Sequence, residues 1–201
     1  MRIATKAQNV YQFNELPESV QSKVIDNLRD INTDYDWWEF VYSDATEIGT
    51  ILGIDISNIY FSGFASQGDG AQFEGSYEYS KGSAKRIREY APQDTELHAI
   101  ADKLQALQRK NFYKLSARVK SSGRYSHEYD TNIRVYRETE YSLVGDVDAD
   151  TDETLCDLLR DYMRWIYRHL ESEYYWLSSD EMIIETIEAN EYEFTSDGAI
   201  Y

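Results

Sequence analysis

One stretch constrains the fold of this chain more than any other: residues 55–79, DISNIYFSGFASQGDGAQFEGSYEY, where two apolar-aromatic runs flank a glycine-rich reversal. Ile56, Ile59, Phe61 and Phe64 lead into the reversal, and Phe73, Tyr77 and Tyr79 lead out of it. The pattern predicts a β-hairpin, with Gly68, Asp69 and Gly70 supplying residues that tolerate positive φ at the turn. A hairpin with one apolar face has to be covered, so helices are expected before and after it.

The flanking sequence supplies them. Residues 10–13 read as a short extended segment, and Pro17 sits in the first turn of a helix on which Val20, Val24, Leu28 and Ile31 recur at helical spacing. Asn32-Thr33-Asp34 offers capping oxygens to a second helix, with Trp38, Val41, Ala45, Ile48 and Leu52 along one face and its end at Gly53. After the hairpin come a short basic helix over 84–90, stopped by Pro92, and an amphipathic helix over 95–109 with Leu97, Ile100, Leu104 and Leu107 as its stripe. From 112 to 135 the period changes to two. Tyr113, Leu115, Ala117 and Val119 alternate with polar residues, Ser121-Ser122-Gly123 turns the chain, and 125–135 return as the second arm of another hairpin. A long helix over 154–176 follows, then a helix over 182–189 capped by the Ser178-Ser179-Asp180-Glu181 run, and Tyr192-Glu193-Phe194 as a last edge strand. The expected class is α+β: an antiparallel sheet of about four strands, built from two hairpins and packed against several helices. Residues 1–137 form the α+β core of that reading, and 138–201 form an acidic helical segment packed on it within one domain. No internal repeat or low-complexity segment interrupts the pattern.

Charge is distributed unevenly along the chain. The net charge of −17 over 201 residues, with a sequence pI near 4.5, argues against bulk attraction to nucleic acid or an anionic membrane, both of which are polyanions. A partner protein with a basic surface suits the chain better. Residues 138–201 hold 18 acidic and three basic residues, a net of −15; residues 81–137 hold 13 basic and six acidic, a net of +7. Self-repulsion in the acidic segment opposes folding and is screened only over about 8 Å at physiological ionic strength. Acidic faces of this kind serve either solubility or, in the sharper reading, imitation of the phosphate spacing of a nucleic acid within a basic groove. No apolar run approaches signal-peptide or membrane-span length, so a soluble, cytoplasmic protein is expected. A single cysteine, Cys156, leaves no internal disulfide.

The candidate partner-binding residues are Asp146, Asp148, Asp150, Asp152, Glu153, Asp157, Asp161, Glu171 and Glu173. Set against a calcium loop, Asp146, Asp148 and Asp150 take the first three ligand places and Asp157 the last. Thr151, however, stands at the turn-making glycine, and Asp157 replaces the bidentate glutamate. Three readings of the run stand together: a defective cation loop, a cluster favoured by a helix N-terminus, and a partner-facing acidic strip. Neither metal nor cofactor is part of the expected function.

Other candidates for chemistry are weaker. His98, His127 and His169 fall in different elements without the spacing of a zinc helix. Gly63, Gly68 and Gly70 are not followed by the Gly-Lys-Ser/Thr of a phosphate loop. Cys156 has acidic neighbours that raise a thiol pKa, the wrong setting for a nucleophile. Ser62, Ser66, Gln67 and Asp69 gather at the hairpin turn; Ser66, Gln67 and Asp69 are the alternative ligand-binding set, without a partnered base. Trp37 and Trp38 are adjacent, so one ring is expected in the core and the other as a contact.

The segments Asp34-Tyr35-Asp36-Trp37-Trp38, Ile59-Tyr60-Phe61-Ser62-Gly63-Phe64, Ser66-Gln67-Gly68-Asp69-Gly70-Ala71, Phe73-Glu74-Gly75-Ser76-Tyr77 and the ending 189–198 together resemble a family of phage and prophage proteins often labelled "antitoxin of toxin-antitoxin stability system". Many such proteins carry cysteine after the Gly-Ala pair, whereas this chain has Gln72. The resemblance implies a phage-encoded protein working in the host bacterial cytoplasm. Together with the charge, it gives the expectation of a non-enzymatic acidic binding protein that inhibits a host nucleic-acid-handling or defence complex, of restriction or CRISPR type, by nucleic-acid mimicry. The first alternative is an antitoxin that neutralises a cognate toxin through its aromatic and basic middle. The second is a small enzyme using the Gln67/Asp69 turn.

Overall fold

The computed structural model describes residues 8–123, 125–139, 142–145 and 147–201. In chain order the elements are β1 (Tyr11–Gln12), a 3-10 turn (Phe13–Glu15), α1 (Glu18–Asn27), α2 (Glu39–Leu52), β2 (Ile54–Phe61), β3 (Ala71–Glu78), α3 (Ser83–Tyr90), α4 (Thr95–Lys110), β4 (Leu115–Ser121), a second 3-10 turn (Glu128–Asp130), β5 (Thr131–Thr139), β6 (Ser142–Gly145), α5 (Ala149–Leu177), α6 (Asp180–Ala189) and β7 (Glu193–Phe194). The class is α+β. The chain forms two compact units, one of residues 38–171 and one that joins the described residues up to Trp37 to those from Ser172 onward. Residue 137, where the charge balance changes sign along the sequence, falls within β5. Among the described residues no helix is long and apolar enough to cross a membrane.

The unit of residues 38–171 is built on the two hairpins. All neighbours in its sheet run antiparallel, in the order β2-β3-β4-β5-β6. Ile54, Phe73, Tyr77, Leu115, Ala117 and Val119 alternate onto one buried face. Helices cover that face: Tyr162 of α5 sets its ring 6.1 Å from Phe73 and donates its hydroxyl to the Ala45 carbonyl of α2 at 2.5 Å. Buried Gln108 of α4 donates to the Leu115 carbonyl at 2.7 Å and accepts from the Leu115 amide at 3.2 Å, which locks the helix to the start of β4. Gly53 ends α2 with φ +90°; a side chain there would place Cβ 2.0 Å from the Glu78 carbonyl oxygen, so the tight α2 to β2 corner requires glycine.

The second unit is smaller. β1 and β7 pair, with Tyr11 opposite Phe194, over a core of Phe13, Leu16, Val24, Ile25, Ile183, Ile187 and Phe194. Buried Asn32 is held at both ends of its amide: the nitrogen donates to the Leu177 carbonyl at 3.0 Å, and the oxygen accepts from Thr186 at 2.8 Å. Ser179 caps α6 by accepting from the Met182 amide at 3.3 Å.

Four local expectations are corrected. The β2–β3 reversal does not run through positive φ at Gly68 or Gly70; residues 62–70 form a longer loop held by Asp69, whose Oδ2 accepts from the amides of Ala65 and Ser66 at 2.9 and 2.7 Å. Asn32-Thr33-Asp34 does not cap α2, which starts at Glu39 after Trp38 and has no side-chain cap, because Asn32 is spent inside its own unit. The second hairpin returns at Thr131 rather than at Tyr125, since a 3-10 turn intervenes. The long helix starts at Ala149, earlier than 154, because the Asp148 carboxylate accepts from the Thr151 amide at 2.9 Å and opens the first turn. The edge strand β6 has no counterpart among the expected strands.

Candidate functional site

Helix α5 carries most of the acidic residues singled out from the sequence, and its phase decides what they can do. At 100° per residue, Asp150, Glu153, Asp157 and Asp161 fall within about 80° of one another. Arg160, Arg164 and Arg168 fall on the same stripe. Arg160 pairs with Asp157 at 3.1 Å, Arg164 pairs with Asp161 and with Glu128 (3.3 Å), and Arg168 pairs with Glu96. The carboxylate strip is therefore interleaved with guanidinium groups. Asp148 faces Arg137 at 3.8 Å; the Thr151 hydrogen bonds, with the smaller help of Arg137, hold its carboxyl below the usual carboxylate range. Asp152 and Glu173 turn off this stripe, while Glu171 returns to it; Asp146 lies outside the described residues. Cys156 donates to Asp152 at 4.0 Å, and burial, then Asp152, push its thiol up to about 11. Among the described residues no group of three or more His, Cys, Asp or Glu is placed to hold a metal ion. Asp150 and Asp157 both lie in regular helix, about 10 Å apart along its axis, where a loop cannot wrap a cation.

Helix α6 differs. Glu181, Glu185 and Glu188 are exposed and fall within about 60° of one another, with rises of about 6 and 4.5 Å between them. Ile183 and Ile187 take the opposite, buried face. Among the described residues no ion pair reaches these three glutamates; the nearby Arg29 is held by Asp180 at 2.5 Å and by Asp26 at 2.9 Å. The row is absent from the residues singled out above. Its signal was present in the sequence, which holds no lysine or arginine after Arg168.

Residues 37–180 match the sequence profile of a family described as a domain of unknown function, DUF8835. The chain belongs to that family. The DUF8835 match takes in the whole unit of residues 38–171, and the glutamate row of α6 lies beyond it. No curated protein and no solved structure matches the chain.

Within the DUF8835 span the remaining candidates have structural occupations. Asp69 is committed to its own loop, while Ser66 and Gln67 are exposed beside it. His98 contacts the Ala91 carbonyl at 2.8 Å, His127 accepts from the Tyr129 amide at 3.2 Å, and His169 lies 3.7 Å from Asp94 and 4.0 Å from the Trp165 ring centre. Trp37 is buried against Tyr174 at 5.8 Å, and half-buried Trp38 meets Phe61 at 5.6 Å. Phe61 in turn stacks on Phe64 at 5.7 Å, and Phe64 packs on Tyr167 at 5.5 Å, so a half-buried aromatic series reaches the surface of this unit.

Proposed function

We propose that this chain is a non-enzymatic acidic binding protein that occupies a basic surface on a partner protein. The observation that carries the reading is the exposed row Glu181, Glu185 and Glu188, three carboxylates at helical spacing that no ion pair reaches among the described residues. The exposed acids at the start of α5, Asp150 and Glu153, add to it. A row of this kind suits a groove built to hold phosphates, and the phage-type setting implied by the sequence resemblance makes a host nucleic-acid-handling or defence complex the target class. Action by occupation needs neither a nucleophile nor a partnered base, in keeping with the structural roles of the histidines and of Asp69.

A second reading, an antitoxin that binds its toxin through apolar contacts, is favoured by the aromatic series Trp38, Phe61, Phe64 and Tyr167. Ionic strength separates the two. A partner captured from host lysate and then titrated against the pure chain is expected to lose affinity steeply between 50 and 200 mM salt, on the order of tenfold or more, with nucleic acid competing. Affinity that holds across that range and survives excess nucleic acid would sink the charge reading and leave the aromatic one.

A further inference from the structure

The solvent face of the sheet carries positive charge that has no ion pair among the described residues. In β3, β4 and β5 the buried positions Tyr77, Ala117 and Val119 alternate with Ser76, Glu78, Ser116, Arg118, Arg134 and Tyr136, which share the opposite face. Strand register sets these six in two adjacent rows, Ser76–Arg118–Arg134 and Glu78–Ser116–Tyr136. Arg118 and Arg134 therefore stand directly opposite each other on neighbouring strands, both exposed, an arrangement that destabilises a sheet by like-charge repulsion. Among the described residues neither has an ion pair, although the chain has 37 acidic residues for 20 basic ones. Arg29, Arg88, Arg160, Arg164 and Arg168 each hold a carboxylate.

A cavity of ≈ 380 Å³ opens beside Arg118, lined by Ser76, Glu78, Ser116, Arg118 and Tyr136 among others, with Arg134 one strand over from Arg118 at its edge. It is bipolar, with guanidinium in one row and carboxylate in the next, and neighbouring same-face rows are about 7 Å apart along a strand. A simple anion is repelled by the Glu78 end. An α-amino acid, whose two charges are adjacent, is too short to span the rows. We propose that this cavity binds a mononucleotide: phosphate on the Arg118/Arg134 pair, base against the half-buried Tyr136 ring, and an exocyclic amine donating to Glu78. Ser76 and Ser116 lie between, where hydroxyl groups meet a sugar. The phosphate is held by charge-assisted hydrogen bonds and the base by stacking. A polynucleotide is disfavoured by the net charge of −17, whereas a single nucleotide brings little charge beyond that which the two arginines neutralise. This site is independent of the acidic row on α6.

Calorimetric titration of the full chain tests the assignment with AMP, IMP, adenosine and inorganic phosphate as probes. AMP is expected to bind saturably. IMP, which presents a carbonyl where AMP has its amine, should bind roughly tenfold more weakly, as should adenosine and phosphate. Arg118→Ala and Arg134→Ala should each lower AMP affinity by roughly tenfold or more, with the circular dichroism spectrum unchanged. Arg109→Ala, at the exposed end of α4, is the control and should leave affinity as it was. No saturable AMP binding, phosphate or IMP binding as tightly as AMP, or indifference to both arginine variants would each overturn the proposal. So would a single-stranded oligonucleotide that binds more tightly than AMP through the same two arginines.

Discussion

Helices α5 and α6 are both acidic, yet they use their carboxylates in opposite ways. On α5 the acids alternate with arginines at a spacing of three residues, and two of those arginines reach further to Glu128 and Glu96 on other elements. The charges of α5 tie the helix to its unit. On α6 Glu181, Glu185 and Glu188 face away from Ile183 and Ile187, and among the described residues no ion pair reaches them, so they add repulsion to the helix. Glu188 stands in the last turn of α6, the end of a helix where negative charge is unfavourable and where no basic residue offsets it. The two helices have the same composition bias with different consequences: Asp157 and Asp161 of α5 are tied up in ion pairs, whereas the α6 row has none among the described residues.

The largest expected effect comes from breaking the α5 arrangement. Arg164 is the hub: it pairs with Asp161 on its own helix and with Glu128, whose side chain is only 9% exposed. Arg164→Ala strands the Glu128 carboxylate in a low-dielectric setting with His127 as its remaining neighbour at 3.2 Å. The loss expected in urea denaturation is about 2 to 3 kcal/mol, since an unpaired buried charge is costlier than a missing surface pair. A loss close to zero would mean that the α5 charges are as idle as those of α6, and the contrast between the helices would collapse.

The parts of this picture that were legible in the sequence are the local ones. The period of two over 115–121, the apolar stripe of α4, the Gly53 stop and the Ser179 cap depend on residues a few positions apart, and each is found as expected. Asp69 misled because its neighbours Gly68 and Gly70 imitate a tight turn, while its carboxylate in fact satisfies two amides of a longer loop. Edge strand β6 has four residues, too few for alternation to show. The arginine interleaving of α5 is partly visible as i, i+3 spacing, yet a charge count along the chain ignores helical phase and so merged α5 and α6 into one strip. Pairs such as Arg164 with Glu128 or Arg29 with Asp180 join residues far apart in the chain, and no local pattern announces them.

A smaller effect is expected at the start of α5. Asp148 accepts from the Thr151 amide, and its carboxyl is held below the usual carboxylate range by that bond first. A depressed folded-state pKa means that the unfolded chain takes up the proton more readily. The contribution to stability is therefore present above the ordinary aspartate pKa of about 3.9 and is lost as pH falls through the lowered folded value. Asp148→Ala, which removes both the charge and the acceptor, should flatten that part of the stability profile in the acid range and shorten the helix at its N-terminus, read by thermal melts at stepped pH and by amide exchange at residues 150–152. A variant whose acid profile matches the parent would show that the cap contributes nothing and that α5 is held by its arginines alone.

The smallest effect on stability is expected at α6, and it is the one that sharpens the contrast most. Replacing Glu181, Glu185 and Glu188 together with glutamine removes two like-charge neighbour relations along the helix, each unfavourable by roughly 0.2 to 0.5 kcal/mol, while giving up a favourable N-terminal charge at Glu181 of similar size. Helix propensity barely changes, since glutamate and glutamine are close on that scale. The denaturation midpoint of the Glu181→Gln, Glu185→Gln, Glu188→Gln variant should therefore stay within about 1 kcal/mol of the parent, with any shift directed toward greater stability. The same variant should bind a captured partner more weakly and with a shallower salt dependence, whereas Asp157→Asn, whose carboxylate is already paired with Arg160, should leave that slope nearly unchanged. A chain made distinctly less stable by the triple substitution would mean that the α6 row holds the fold, and the reading of it as a surface for a partner would have to be given up.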